Sequence, residues 1–264
     1  MQIIITTLVI LVIGFIVGYA LVLTDKKFHV DTDEREQAIR DALPGNNCGA
    51  CGQAGCDAMA AAMFKGEAPL NGCPVGGASV AQMIGQIMGV DVEAAVPKAA
   101  FVRCSGCREV TRDQGRYVGI MDCRAAVQAG LNVTSCVFGC IGLGSCQKAC
   151  PHDAIVIQEG LAHILPQKCV GCGLCVKTCP RALIELKPRD RQVAVRCMSH
   201  DRGPLVKKVC TAGCIGCGLC EKVCESGAIK VEGNVASVNY ELCTQCGKCA
   251  EKCPSKVITL PRSA

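Results

Sequence analysis

Tryptophan is absent from this 264-residue chain, and aromatic residues of all kinds make up 3% of it. So few rings argue against a deep ring-lined enzyme pocket and against a large core of ordinary side chains. Charged residues are also sparse, at 19%, while half the chain is hydrophobic. That balance excludes a collagenous or disordered protein. No basic runs alternate with aromatic platforms, so nucleic-acid binding is not expected. No G-x-G-x-x-G loop stands in a strand–helix context, which leaves the chain without a dinucleotide site of that kind. The four histidines, His29, His152, His163 and His200, lie outside the cysteine motifs and are given no role.

The chain is instead rich in sulfur, with 25 cysteines. Disulfide scaffolds are usually short, secreted and even in cysteine count. This chain is long, its count is odd, and its cysteines cluster at gaps of two and three residues, too close for independent cross-links. Metal binding follows, in a reducing compartment or with the thiols protected by the metal.

One long apolar run opens the sequence. Ile3 to Leu23 read IIITTLVILVIGFIVGYALVL, and about 20 apolar residues suffice to cross a bilayer. No Lys or Arg precedes the run and no small-residue cleavage site follows it, so a signal peptide is the poorer reading. Lys26 and Lys27 come directly after it, which places the C-terminal side in the cytoplasm. A buried soluble helix is the alternative.

Three segments share the spacing C-x2-C-x2-C-x3-C of bacterial ferredoxins. They are CVGCGLCVKTC (Cys169, Cys172, Cys175, Cys179), CIGCGLCEKVC (Cys214, Cys217, Cys220, Cys224) and CTQCGKCAEKC (Cys243, Cys246, Cys249, Cys253). Three close thiolates can wrap one face of an iron–sulfur cubane while the fourth points toward a second cluster. A fourth copy, CIGLGSCQKAC, aligns Cys140, Cys146 and Cys150 but has Leu143 in place of the second ligand. Cys136, four residues upstream, is the expected substitute. Cys210 stands at the same offset before Cys214, so Cys210 and Cys217 compete for one role; the alignment prefers Cys217 without deciding it.

Each motif pair brackets a hairpin signal, with turns at Glu159-Gly160 and Gly233-Asn234. This order is that of two-cluster ferredoxins, in which the last Cys of each motif crosses to the other cluster. The expected sets are Cys136, Cys140, Cys146 with Cys179; Cys169, Cys172, Cys175 with Cys150; Cys214, Cys217, Cys220 with Cys253; and Cys243, Cys246, Cys249 with Cys224. Zinc, which favours separated cysteine pairs, fits this spacing poorly.

A fifth set lies nearer the apolar run: Cys48, Cys51 and Cys56 in CGACGQAGC, closed by Cys73 after the helical segment 57–64. Four thiolates without histidine favour a further [4Fe–4S] cluster over zinc. Cys104, Cys107, Cys123, Cys197 and Cys210 are left over, as buried thiols or part of a sixth cluster. A [4Fe–4S]2+ core on four thiolates carries −2, so five such centres bring the formal +5 to about −5. The charge of the bare chain therefore names no partner.

The expected fold class is α+β, with a single N-terminal transmembrane helix, a small helical [4Fe–4S] domain and two ferredoxin-like 2[4Fe–4S] domains. The expected boundaries are 1–25 for the anchor, 30–90 for the CGACG domain, 91–130 for an uncertain linker, 130–190 for the first ferredoxin domain, 191–204 for a second linker, and 205–262 for the second ferredoxin domain.

An apolar N-terminus, then CGACGQAGC with Cys73-Pro74, then ferredoxin motifs resembles the B subunit of the Rnf complex, the ion-translocating ferredoxin:NAD+ oxidoreductase. The segments GIMDCRAAV (119–127) and CVFGCIGLGSCQKACP (136–151) resemble its longer, clostridial-type members; the shorter proteobacterial type has one ferredoxin domain. The resemblance implies a single-pass subunit of the cytoplasmic membrane. It would accept electrons from soluble ferredoxin and pass them to the other Rnf subunits, with NAD+ and flavin sites elsewhere. Competing readings are a polyferredoxin that reduces another partner, such as a redox-sensing regulator, and a zinc-binding structural protein.

Overall fold

The computed structural model describes residues 2–28, 33–93, 96–111 and 117–260. Helix α1 spans Gln2–Phe28 without a break. Its side chains Ile10, Leu11, Phe15, Ile16 and Leu21 are more than half exposed. Residues 10–24 are its longest stretch of described side chains, and among the described residues no helix is long and apolar enough to cross a membrane. The segment expected to span the bilayer therefore has its helix but lacks, among the described residues, the full apolar length.

A small helical unit follows. Helices α2 (Glu34–Ala42), α3 (Cys56–Phe64) and α4 (Gly77–Met88) pack around Ile39, Met63 and Ile84, all fully buried. Asp33 caps α2 by accepting from the Arg35 amide, which satisfies one of the helix's free N–H groups. Asn47 Oδ1 accepts from the Cys56 amide at 2.7 Å and so sets the start of α3. Arg40 pairs with Asp57 at 2.5 Å and ties α2 to α3.

The rest of the chain is two copies of one plan. The first contains β1 (Lys98–Val102), α5 (Cys123–Gln128), α6 (Ser145–Lys148), β2 (Ile155–Gln158), β3 (Leu161–Ile164), α7 (Leu174–Thr178) and β4 (Ile184–Pro188). The second contains β5 (Ala194–Val195), α8 (Gly203–Val209), α9 (Leu219–Lys222), β6 (Ile229–Glu232), β7 (Val235–Val238), α10 (Lys248–Glu251) and β8 (Ile258–Thr259). The expected hairpins are β2–β3 and β6–β7. Both turn residues have positive φ in each (Glu159 and Gly160, Gly233 and Asn234), the two-residue turn that matches strand twist.

The segments expected as linkers are structural. Strand β1 pairs antiparallel with β4, Lys98 opposite Pro188 and Val102 opposite Ile184. Strand β5 pairs in the same way with β8. Each domain thus closes by pairing its first strand with its last, a contact of long sequence separation that local patterning does not report. Val102, Ile155, Leu161 and Ile184 fill the first core beside Cys146 and Cys175. Val193, Ile229, Val235 and Ile258 fill the second beside Cys214 and Cys249.

The repeated glycine two residues after the first motif cysteine has a steric cause. Gly142, Gly171 and Gly216 have positive φ. A Cβ at these positions would run into the backbone of Gly160, Lys98 and Asn234 respectively. In the last motif Gln245 takes the place of that glycine at φ 62°, and its Oε1 accepts from the Gln192 and Val193 amides. Gly218 also has positive φ, but open space surrounds it. Gly171→Ala is therefore expected to destabilise the anaerobic protein by more than about 2 kcal/mol, against roughly 1 kcal/mol for Gly218→Ala. Denaturant midpoints measured under argon check the difference.

Candidate metal centres

The motif loops bring their cysteines around clefts lined mainly by apolar atoms. Cys150, Cys169, Cys172 and Cys175 share one of about 340 Å3. Cys214, Cys217, Cys220 and Cys253 share another of about 330 Å3. In both, three cysteines come from one motif and the fourth is the last cysteine of the other. Cys217 stands in this group and Cys210 does not. Cys243 and Cys249 pack in the core of the second domain, with Cys224 beside them; burial raises the Cys249 thiol pKa, and Cys243 and Cys246 add to it. In the helical unit Cys51, Cys56 and Cys73 flank one core. Cys48 lies in the preceding loop; burial raises the Cys172 thiol pKa, and Cys150 and then Cys48 add to that rise.

Two placements differ from expectation. Cys140, Cys146 and Cys179 line a cleft with Cys123, not with Cys136. Cys123 opens α5, and its amide donates to Ser145 Oγ at 2.6 Å. Ser145 in turn donates to Asp122 Oδ2 at 2.8 Å, while Asp122 Oδ1 caps α5 through the Arg124 and Ala125 amides. Those contacts hold the Asp122 carboxyl below its ordinary pKa, the Ala125 amide first and the Ser145 hydroxyl second. The capping aspartate thereby locks Cys123 beside Cys146. Leu143, at the lost ligand position, is buried against Cys123 and Ala126. Cys136 lines a separate cleft with Cys104, Cys197 and Cys210. Sequence proximity pointed to Cys136; the readable sign of Cys123 was the helix cap immediately before it. The other signal was the repeat Val-Arg-Cys, at 102–104 and 195–197.

Local chemistry fits thiolate–iron ligation. Backbone amides donate to sulfur: Ala154 to Cys150, Leu183 to Cys179, Ala100 to Cys169 and Gly76 to Cys73, each at 3.4 Å. Such N–H groups stabilise negative sulfur and tune an iron–sulfur centre. Burial pushes the thiols of Cys140, Cys146 and Cys175 up to about 12. A thiolate there needs a cation against it, which an iron core supplies. His152 lines the cleft of Cys150, Cys169, Cys172 and Cys175, and its buried Nε2 has no hydrogen-bond partner in the protein. That orphaned nitrogen suits the sulfide of a cluster. Among the described residues no three Cys, His, Asp or Glu side chains are close enough to share one metal ion. The clefts have room for a group of many atoms.

The cleft at Cys123 yields a direct test. Cys123→Ala is expected to remove about four iron and four sulfide per chain, the content of one [4Fe–4S] cluster, while Cys107→Ala removes none. Iron and acid-labile sulfide assays on anaerobically purified protein measure both.

Residues 43–75 match a family described as a putative Fe-S cluster domain. Residues 138–186, 168–229 and 213–258 match families described as 4Fe-4S dicluster domains. The B subunit of the Na+-translocating ferredoxin:NAD+ oxidoreductase complex of Acetobacterium woodii is 43% identical over 249 residues, covering 94% of this chain and 75% of that protein. The B subunit of the proton-translocating ferredoxin:NAD+ oxidoreductase complex of Clostridium ljungdahlii is 41% identical over 252 residues, 94% of this chain and 88% of its own. The B subunit of the ion-translocating oxidoreductase complex of Methanosarcina acetivorans is 39% identical over 249 residues, 94% of each. With iron–sulfur domains along its length and relatives that match 94% of it, the chain belongs to the B-subunit family of the ion-translocating ferredoxin:NAD+ oxidoreductase (Rnf) complexes and is an iron–sulfur electron-transfer subunit.

Proposed function

We propose that the chain accepts low-potential electrons from a soluble ferredoxin at its C-terminal domain and delivers them, through the Cys48–Cys73 site, to the membrane subunits of its complex. Those subunits reduce NAD+ and move Na+ or H+. The ligand sets of five motif-built centres are Cys48, Cys51, Cys56, Cys73; Cys123, Cys140, Cys146, Cys179; Cys150, Cys169, Cys172, Cys175; Cys214, Cys217, Cys220, Cys253; and Cys224, Cys243, Cys246, Cys249. A bound [4Fe–4S] cluster supplies one-electron transfer with little change in bonding.

The observation that carries the direction is exposure. Of the 25 cysteines only Cys217 and Cys246 are exposed, and both lie in the C-terminal domain. A soluble carrier can approach closest there. At the other end, Cys48, Cys51, Cys56 and Cys73 lie between helix α1 and the first ferredoxin domain in the chain. Helix α1 is the membrane attachment, with the body on the cytoplasmic side. Its continuity over Gln2–Phe28, its exposed apolar side chains and the trailing Lys26 and Lys27 support that orientation. A helix apolar all round is at home in lipid or a core, not in water.

The test uses the assembled complex prepared without air. With Cys48→Ser and Cys51→Ser together, reduced ferredoxin is expected to bleach the remaining clusters as fast as before, while NAD+ reduction falls to background. Unchanged NAD+ reduction with that cluster absent would overturn the order. A parent chain with zinc and no sulfide would overturn the iron–sulfur assignment itself.

A further inference from the structure

We propose that Cys104, Cys136, Cys197 and Cys210 hold a sixth [4Fe–4S] cluster, shared between the two ferredoxin-like domains. The proposal rests on the reading of the other cysteine sets as cluster sites. All four side chains line one cleft of about 400 Å3, and each is 8–9% exposed. They form no motif in sequence, being spread over 107 positions from Cys104 to Cys210.

The site has an internal two-fold logic. Each domain supplies the same two positions of its own plan. Cys104 follows β1 in Val102-Arg103-Cys104, and Cys197 follows β5 in Val195-Arg196-Cys197. Cys136 stands four residues before Cys140, and Cys210 four before Cys214. The sulfur contacts repeat too: Gly106 N–H donates to Cys104 at 3.3 Å and Ser199 N–H to Cys197 at 3.5 Å, each from two residues on. Two equivalent halves thus meet as one four-sulfur site. Backbone contacts hold the halves together, with Thr111 bridged to Cys210 and the Thr211 amide donating to the Val110 carbonyl at 3.0 Å. Arg181 fixes the Cys136 loop by donating to the carbonyls of Cys136 and Gly139.

Charge points to an anionic occupant. Arg196 lines the cleft, donates through Nη2 to the Cys104 carbonyl at 3.4 Å, and leaves a buried Nε without a protein partner. Arg103, also lining the cleft, is answered by Glu185 at 2.7 Å; among the described residues Arg196 has no such carboxylate. Four neutral thiols would leave the Arg196 cation buried and uncompensated, which is costly. Four thiolates on a [4Fe–4S]2+ core carry a net −2. Among the described residues no His, Asp or Glu lines the cleft, so the donors they offer are the soft sulfurs that select iron–sulfur clusters over hard ions.

Position gives the site its use. Cys104 packs in the first domain's core with Cys146 and Cys175. Cys197 packs in the second domain's core with Cys214 and Cys220. The shared site relays one electron at a time from the second domain's centres to the first's; it is reduced by one and reoxidised by the other, with no bond made or broken and no proton moved.

The test uses the full chain purified without air. The parent is expected to hold about 24 iron and 24 sulfide by chemical assay and by native mass, against about 20 of each for five clusters. Cys197→Ala with Cys210→Ala is expected to lose about four of each while the other clusters keep their EPR signals, and Cys107→Ala to lose none. In the double variant the C-terminal domain is still reduced promptly by ferredoxin, but reduction of the N-terminal centres slows at least tenfold. A parent with five clusters by native mass overturns the proposal whether or not the variant folds, as does a double variant with the parent's iron content. A parent with no iron or sulfide overturns the wider iron–sulfur reading instead.

Discussion

Everything in this fold depends on keeping negative sulfur inside an apolar interior. A buried thiol resists ionisation, and Cys140, Cys146 and Cys175 do so strongly. The interior therefore favours thiolates only where a cationic core and amide N–H groups face them. That requirement explains the shortness of the secondary structure. Helices α6, α9 and α10 have four residues each, far below the length at which a helix is stable by itself. They survive as struts that aim cysteines, and the binding energy of the metal becomes folding energy. The same requirement explains the missing aromatics, since cluster and sulfur occupy the volume that rings fill elsewhere.

Much of this was legible in the sequence because the ferredoxin motif is local. Three sulfurs within seven residues share a loop, so their grouping needs no tertiary information. The crossing of Cys150 and Cys253 to the neighbouring motif's site follows from the motif pair and the hairpin between. What escaped was set by long-range pairing. Nothing near Lys98 in the sequence announces that β1 lies along β4, so 91–130 read as a linker and Cys104 as a leftover. Cys123 was missed because the defect at Leu143 invites a repair from the nearest cysteine. The structure places a more distant one there, held by Asp122 and Ser145. Cys136 and Cys210 were visible as a matched pair at one offset, but their common destination lies across a domain boundary.

The division of labour between the two positions is itself a physical consequence of the duplicated plan. In the first motif copy Leu143 is apolar and buried beside Cys123, so the chain brings a cysteine in from α5 and leaves Cys136 for the other cleft. In the second copy Cys217 stands in the motif cleft, which leaves Cys210 for the junction as well. Had Cys136 served as the substitute ligand, the junction would hold three cysteines, one short of the four that a cluster requires. The insertion of α5 and the freedom of Cys136 are therefore one arrangement seen from two sides.

Ligands shared across the junction, as proposed, would also limit how the domains can move. Interfaces between domains of one chain are usually modest and polar, and relative motion is the ordinary expectation. Here the junction is closed by the contacts at Thr111 and Thr211, by Arg103 reaching the Ala236 carbonyl, and by the edge-on packing of Phe138 against His200. The proposed cluster, gripped by two cysteines from each side, would add metal–sulfur bonds to these, and such bonds do not stretch with thermal motion as a surface contact does. Electron transfer falls steeply with distance, so a conductor that flexed at its middle would lose its rate there first. A ligand-sharing centre at that point, as proposed, would hold fixed the spacing that a two-domain conductor most needs to keep.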